Sequence, residues 1–244
     1  MRFNGVDPRT LHRGISIAKE IAPGAPPSDI QTLSGVSGET PAGRVIMQGE
    51  YIVRINVAGK TRAQAWEMRK LLASWACAAD AVTHELIPTH WPTVAYDAMF
   101  KEISEPEFSF GFGQLDVVFT IPRPFAHDLQ WSLAHGAQSV GVMIGGTHST
   151  RMDVELIAAG SDGLTLTMDD EVVARLSGVF EAGQVIHINA IDRSVIVDNA
   201  HAEHRIIYTD TSFARLEELS TPGRHTLTCA ESVSTTARWR NEWV

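Results

Sequence analysis

The residues of this chain that could do chemistry are few, and their spacing argues against most of the reactions they suggest. His84 and Glu85 open like the His-Glu-x-x-His run of a zinc peptidase, but Pro88 stands where the second histidine belongs. Proline there removes a ligand and, having no amide donor, breaks the helix that would bring both histidines to one face. Gly111-Phe-Gly113 begins a dinucleotide fingerprint without its third glycine, and there is neither a Gly-x-Ser-x-Gly elbow nor a Walker A loop. His201 and His204 could bind a metal with Asp198 or Glu203; a polar connection after the Asp198-Asn199 turn explains them equally well. His187 lies in an alternating segment and reaches one face alone, the usual place of a half-buried strand histidine. Asp169, Asp170 and Glu171 form an acidic cluster that could hold calcium, but they lack the D-x-D-x-D-G spacing, and a solvated hairpin turn accounts for them. Glycoside hydrolysis needs only two carboxylates about 5 to 9 Å apart in space, and nothing singles out a pair. Trp239 and Trp243, at the end of ARWRNEWV, either form a platform for a sugar ring or pin a terminal segment to a core or a neighbouring subunit. No residue is assigned a catalytic, cofactor-binding or metal-binding role, and the chain is not expected to be an enzyme.

The bulk numbers narrow the remaining classes. At 244 residues the chain suits one large domain or two ordinary ones, and 44% apolar with 20% charged residues is a globular balance. The 20 basic and 29 acidic residues give a formal charge of -9. Such a surface repels phosphate backbones, which argues against nucleic-acid binding as a main role. After Lys101 every basic residue is arginine, which suits planar and packed contacts. Cys77 and Cys229 are far apart and are expected as free thiols in a protein assembled in a reducing cytosol. The polar start MRFNGVDPRT has no apolar core of a signal peptide, and no apolar run approaches the roughly 20 residues of a membrane span. A soluble, cytosolically made protein without membrane insertion is expected.

The elements that would position any site read as mainly β. Residues 1–43 are rich in Gly, Pro and Ser, and the stretch at about 20–43 reads as short strands between long turns or as an extended arm. Arg44–Val57 alternates with Tyr51, Val53, Ile55 and Val57 on one face, and Gly49 marks a bulge or turn. One helix follows: Thr61 and Gln64 have the spacing of a capping box, and Met68, Leu71, Leu72, Trp75 and Ala79 form a stripe. Pro88 and Pro92 forbid its continuation. Strands are expected at Thr93–Phe100 and Gln114–Ile121, the second stopped by Pro122-Arg-Pro124. Residues 125–146 read as a connection, with the domain boundary near 136–146. Beyond it, short alternating runs at Arg151–Ala158, Leu164–Met168, Val172–Leu176, Gln184–Asn189, Ser194–Val197, Arg205–Tyr208 and His225–Cys229 are separated by turn signals. They include Gly160-Ser-Asp-Gly163, Asp169-Asp170, Ala182-Gly183, Asp198-Asn199 and Pro222-Gly223, and this spacing predicts an antiparallel β-sandwich.

The order of these features resembles the distal tail protein (Dit) family of long-tailed, siphovirus-type bacteriophages. The resemblance runs from Phe3-Asn4-Gly5 through YIVRINVAGKTRAQAWEMRKLLASW, PTVAYDAMF and VVFTIPRPF to LSGVFEAGQVIHINAIDRSVIVDNA and the late Pro222-Gly223 turn. Asp198-Asn199 departs from it, standing where an Asn-Gly type turn is usual. What the resemblance implies is an N-terminal ring-forming (belt) domain at 1–140, with a Gly/Pro-rich arm, and a C-terminal galectin-like β-sandwich at 141–244. It further implies a ring, usually a hexamer, between the tail tube protein and the tail-tip or baseplate hub protein, anchoring receptor-binding proteins or side fibres. The place of action would be the virion, after assembly in the host cytoplasm, and the role structural. A carbohydrate-binding module for attachment to the host surface is the alternative.

Overall fold

The computed structural model describes residues 1–24, 28–35, 38–46, 48–77, 82–109, 112–190, 194–207 and 220–243. Ala79, Gly111 and Tyr208, named above, lie outside them. The chain forms two compact units, Met1–Ala126 and His127–Trp243.

The first unit is built on an antiparallel sheet packed by one helix. Its strands are β1 (Arg2–Phe3), β2 (Ile15–Ile21), β3 (Ser28–Gly35), β4 (Gly38–Ile46), β5 (Gly49–Ala58), β6 (His84–Ile87), β7 (Val94–Ile103), β8 (Glu107–Ser109) and β9 (Phe112–Ile121); the helix is α1 (Arg62–Cys77). The main path runs β1-β6-β7-β9-β5-β2, with β8 on β9, while β3 and β4 form a two-stranded sheet of their own. The period-2 pattern of β5 does what it predicts: Tyr51, Val53, Ile55 and Val57 are fully buried, and Leu115, Val117, Phe119 and Ile121 of neighbouring β9 are buried with them. Helix α1 seals the core with Ala65, Met68, Leu72, Trp75 and Ala76. Leu71, expected on that stripe, is 42% exposed. It sits about 100° around the helix from Leu72, beyond the face that Met68, Leu72 and Trp75 share. The cap follows the spacing in one half: Thr61 Oγ1 accepts from the Gln64 amide at 3.3 Å, while Gln64 Oε1 reaches back one residue further than a capping box does, to the Lys60 amide at 2.7 Å. Phe3, Trp75 and Phe119 meet with ring centroids 4.6 to 6.0 Å apart, and the indole of Trp75 donates to the Val6 carbonyl at 3.3 Å. Each such ring takes roughly 150–250 Å² out of water, which is why three of them dominate this core.

The strand β10 (Ala126–Asp128) leads into the second unit, an antiparallel sandwich. Its strands are β11 (Ser132–Gly136), β12 (Ser139–Ile144), β13 (Met152–Ala158), β14 (Ser161–Met168), β15 (Glu171–Phe180), β16 (Val185–Asn189), β17 (Ser194–Val197), β18 (Ala200–His201), β19 (Gly223–Thr228) and β20 (Ser232–Trp239), while the short β21 (Glu242–Trp243) pairs with β10 outside both sandwich sheets. One sheet has the order β11-β20-β13-β16-β17-β18 and the other β12-β19-β14-β15. Met152, Val154, Leu156, Ile186, Ile188 and Ala237 of the first face Leu164, Leu166, Met168, Leu176, Val140, Val142 and Leu227 of the second in one core. Two hairpins turn on two residues with positive φ: Asp169-Asp170 (51° and 68°) joins Met168 to Glu171, and Asp198-Asn199 (47° and 68°) joins Val197 to Ala200. Both have the two-residue primed geometry, in which short acidic or amide side chains tolerate the left-handed backbone.

Three expectations are corrected here. The stretch 125–146 is not a connection: it carries β11 and β12, so the second unit begins before the boundary expected at 136–146. The four glycines there hide an alternating Ser-Val-Gly-Val-Met-Ile run whose valines and isoleucine enter the core. Arg205 belongs to a single 3-10 turn (Glu203–Arg205), and Ile206 makes only an isolated bridge to Leu176. The turn expected over Gly160-Ser-Asp-Gly163 is confined to Gly160 (φ 98°), since Ser161 already pairs with Phe180.

Candidate functional site

The histidines and carboxylates that could have formed a reaction centre are used locally, as braces of strands and turns. His84 lies in β6, not on a helix, and its ring meets Phe3 edge-on at 5.8 Å. A strand carries successive side chains to opposite faces, so His84 and Glu85 cannot share a ligand sphere. Asp198 accepts from the Val185 amide and the Gln184 side chain, each at 3.0 Å, and so ties its turn to β16. His201 pairs with Glu203 at 2.9 Å on the surface. His187 faces Glu155 across the β13–β16 ladder at 3.6 Å. Among the described residues no three His, Cys, Asp or Glu side chains converge as metal ligands would. Cys77 ends α1 exposed, whereas Cys229 is buried, and burial pushes its thiol up to about 11.

The acidic turn does have a tertiary partner that sequence reading missed. Asp169 accepts from His225 Nδ1 at 2.6 Å and from the Thr226 amide at 2.8 Å, and His225 Nε2 lies 2.8 Å from the Thr221 carbonyl. The hydrogen bond from His225 holds the Asp169 carboxyl below the ordinary carboxylate range. This pair clasps the β14–β15 turn to β19, a contact between residues 56 positions apart that no local motif announces.

Nor do the terminal tryptophans form a sugar platform. Trp239 is buried in the sandwich core, and the indole of Trp243 donates to Asp128 Oδ1 at 2.9 Å. They pin the terminal segment within its own unit. The exposed tryptophan among the described residues is instead Trp131, 38% open, with the guanidiniums of Arg238 and Arg240 each within 4.7 Å of its ring centroid. The Arg-Trp-Arg spacing of Arg238, near the end of β20, and Arg240, just past its end, was the signal available for it.

In the first unit, a surface cleft of about 510 Å³ lies between the His12–Gly14 turn and α1, lined by Arg13, Lys60, Gln64, Glu67, Met68 and Leu71 among others. It holds no nucleophile–base pair. Opposite in character is Glu20, which accepts from the Tyr51 phenol at 2.7 Å and the Thr89 amide at 3.0 Å. Burial raises its carboxyl, but those donors outweigh burial and leave it below the ordinary range, while burial and then the bond to Glu20 push the Tyr51 phenol far up. A neutral phenol holding a buried carboxylate is a structural lock. The arrangement as a whole offers surfaces and braces, with no catalytic constellation among the described residues.

Comparison with known proteins follows the same line. Residues 145–243 match the family model described as siphovirus-type tail component, C-terminal domain. No curated protein matches the chain in sequence. Among solved structures the chain is similar to the crystal structure of the Dit protein of phage SPP1, presented as a paradigm of hub adsorption apparatus in phages infecting Gram-positive hosts. The two share 12% identity and a TM-score of 0.76, over 99% of this chain and 98% of that one. A chain of the phage P2 baseplate in its activated conformation with calcium aligns over 93% of this chain and 90% of its own, with 9% identity and a TM-score of 0.48.

Proposed function

We propose, from the match of residues 145–243 to the siphovirus-type tail component model, that the chain is a distal tail protein whose copies, six in number, close into a ring between tail tube and tail-tip hub. The ring holds receptor-binding proteins or side fibres at its rim, and the protein acts at the tip of the virion after assembly in the host cytoplasm. The role is structural: the family is one of tail components, and the first unit, with the arm at about 20–43, is the ring-forming belt.

The observation that carries this reading is the β3–β4 ribbon. Ser28–Gly35 and Gly38–Ile46 form a two-stranded sheet, and no third strand pairs with it among the described residues. An isolated two-stranded hairpin is marginal in water, so a ribbon of this length calls for a surface outside its own sheet. Around a closed rotation each copy offers one surface and accepts another, and an extended ribbon suits such a repeated heterologous contact. Sugar binding is not part of the proposal, because Trp239 and Trp243 are engaged within the sandwich. The test is mass in solution with particle imaging of the purified chain. Closed rings with a central channel are expected, and a chain lacking residues 28–46 is expected to stay folded as a monomer. Normal rings from the shortened chain would remove the ribbon from the interface; a full-length chain that stays monomeric alone and with its tube and hub neighbours would sink the ring.

A further inference from the structure

The β2–β5 pair gives the first unit two unlike ends. The two strands run antiparallel from the Ile15–Val57 pair to the Ile21–Ile52 pair, a span of roughly 20 Å at about 3.4 Å per residue. At the Ile21 end the chain departs into the β3–β4 ribbon, which lies in sequence between Ile21 and Gly49. Pro23 and Gly49 meet at its base, where a Cβ on Gly49 would come within 2.8 Å of Pro23 Cβ. At the other end, beyond Ile15 and Val57, lies the cleft beside α1.

The walls of that cleft are fixed by hydrogen bonds. On one side the His12–Gly14 turn is fastened by the Gly14 amide, which donates to His12 Nδ1 at 2.9 Å, and by the Ala58 amide, which donates to the Gly14 carbonyl at 2.8 Å. A Cβ on Gly14 would come within 2.4 Å of the Ala58 carbonyl oxygen, so glycine is what lets the turn lie this close to β5. On the other side Gln64 is held by the Lys60 amide at 2.7 Å. Two exposed cations, Arg13 and Lys60, line the cleft, and neither has a carboxylate partner among the described residues. Glu67, which also lines it, is taken up by Lys70 at 2.8 Å. Leu71 adds an exposed apolar side chain. The ribbon has the complementary composition: from Ser28 to Gly43 its sequence holds Asp29 and Glu39 and no basic residue, with Ile30 and Leu33 among its apolar positions.

We propose that the cleft between the His12–Gly14 turn and α1 is the seat for the β3–β4 ribbon of a second copy of this chain. The acidic positions 29 and 39 answer Arg13 and Lys60, and the ribbon's apolar positions cover Leu71. The inference rests on the ring reading above and names the surface that the ribbon takes. Charge selects the ribbon as occupant, since opposite charges across a contact fix its register and like charges oppose it. Placement selects a second copy. Ribbon and cleft belong to opposite ends of one strand pair, so each copy gives at one end and receives at the other. A head-to-tail contact that repeats around a closed rotation needs that polarity, whereas a two-fold contact requires one surface to meet itself.

Charge exchange on the full chain, alone and with its tube and hub neighbours, tests this by mass in solution and particle imaging. Arg13→Glu with Lys60→Glu is expected to melt like the parent, because both side chains are exposed. It is expected to weaken ring formation by about 10-fold or more, since like charges then face each other across the contact. Asp29→Lys with Glu39→Lys is expected to weaken it similarly, and the four changes together to restore rings to near the parent's level. Leu71→Ser is expected to weaken rings by a smaller factor at an unchanged melting temperature. Parent-like rings from the cleft reversal, or two reversals that each break rings without rescue in combination, would overturn the proposal. Reversals that lower the melting temperature of a monomer would place the ribbon on its own copy's cleft and overturn it equally. Rings lost on removing residues 28–46 but indifferent to the cleft would sink the seat alone. A parent that stays monomeric alone and with its neighbours would sink the ring reading and the seat with it.

Discussion

The two units solve the same problem, a sheet that must not be left open, with different materials. The first is close to charge balance, with 12 basic and 13 acidic residues in 1–126, and its core is built on large rings beneath one helix. The second has 8 basic against 16 acidic residues in 127–243, and its core is mainly aliphatic, with Phe180 and Trp239 as its rings and the small polar Ser232 and Thr235 of β20 buried beside it. Stability in the first rests on a few bulky contacts and on a carboxylate locked by a phenol. In the second it is spread over many β-branched and leucine contacts, and its surface carries His–carboxylate clasps such as His225–Asp169 and His201–Glu203. The difference teaches that the acidity read from the whole sequence belongs almost entirely to the sandwich. Long-range repulsion of other anionic surfaces is therefore a property of that unit.

The comparison can be broken most directly in the cores. Phe119→Ala is expected to cost about 3–5 kcal/mol and Leu156→Ala about 2–5 kcal/mol, from lost burial plus the cavity left behind. Urea denaturation with exchange followed separately in β5 and β13 reads both, and a loss of protection shared equally by the two units for either variant would erase the contrast drawn here. Next in size is Tyr51→Phe, which leaves the buried Glu20 carboxylate short of a donor and is expected to cost about 1.5–3 kcal/mol. Its cost should shrink on acidification. Glu20 has a lowered folded value, so its contribution is complete above the unfolded value and disappears as pH falls through the folded one.

Ser232→Ala in the sandwich is expected to cost about 1–2 kcal/mol, because Ser232 Oγ donates to the Cys229 carbonyl at 2.9 Å and lies 3.0 Å from Thr235 Oγ1 in a dry place. A neutral result would show that the buried hydroxyl pair is tolerated rather than used. The smallest effect concerns the clasp: Asp169 also has a lowered folded value, so the parent should lose its contribution as pH falls below the ordinary 3.8, and Asp169→Asn should show a shallower acid slope. Equal acid slopes for parent and variant would reduce the clasp to a surface contact of no energetic weight.

Much of the fold was legible in the residues, and what was not has identifiable physical causes. Strand β20 escaped notice because its core positions include Ser232 and Thr235, which bury through hydrogen bonds to each other and to Cys229, so no apolar alternation marks them. Strands β11 and β12 were masked by glycines, which weaken a strand's propensity without preventing its pairing. Asp169 and His225 were read apart, one as a turn and one as part of a strand, because only folding brings 169 and 225 within a hydrogen bond.

By itself the sequence determined the local elements and their punctuation: the buried face of β5, the cap and stripe of α1, the proline stop after β9, and the two-residue acidic turns. Each depends on a period of two or 3.6 residues, or on a backbone angle that few residues accept, and these act over a handful of positions. Only the tertiary structure decided which strands share a sheet and which tryptophan meets solvent. Those outcomes depend on pairings 40 to 100 residues apart, such as β13 with β20 and β12 with β19, where the competing registers differ in how completely side chains pack and backbone groups pair rather than in anything a short stretch of sequence displays.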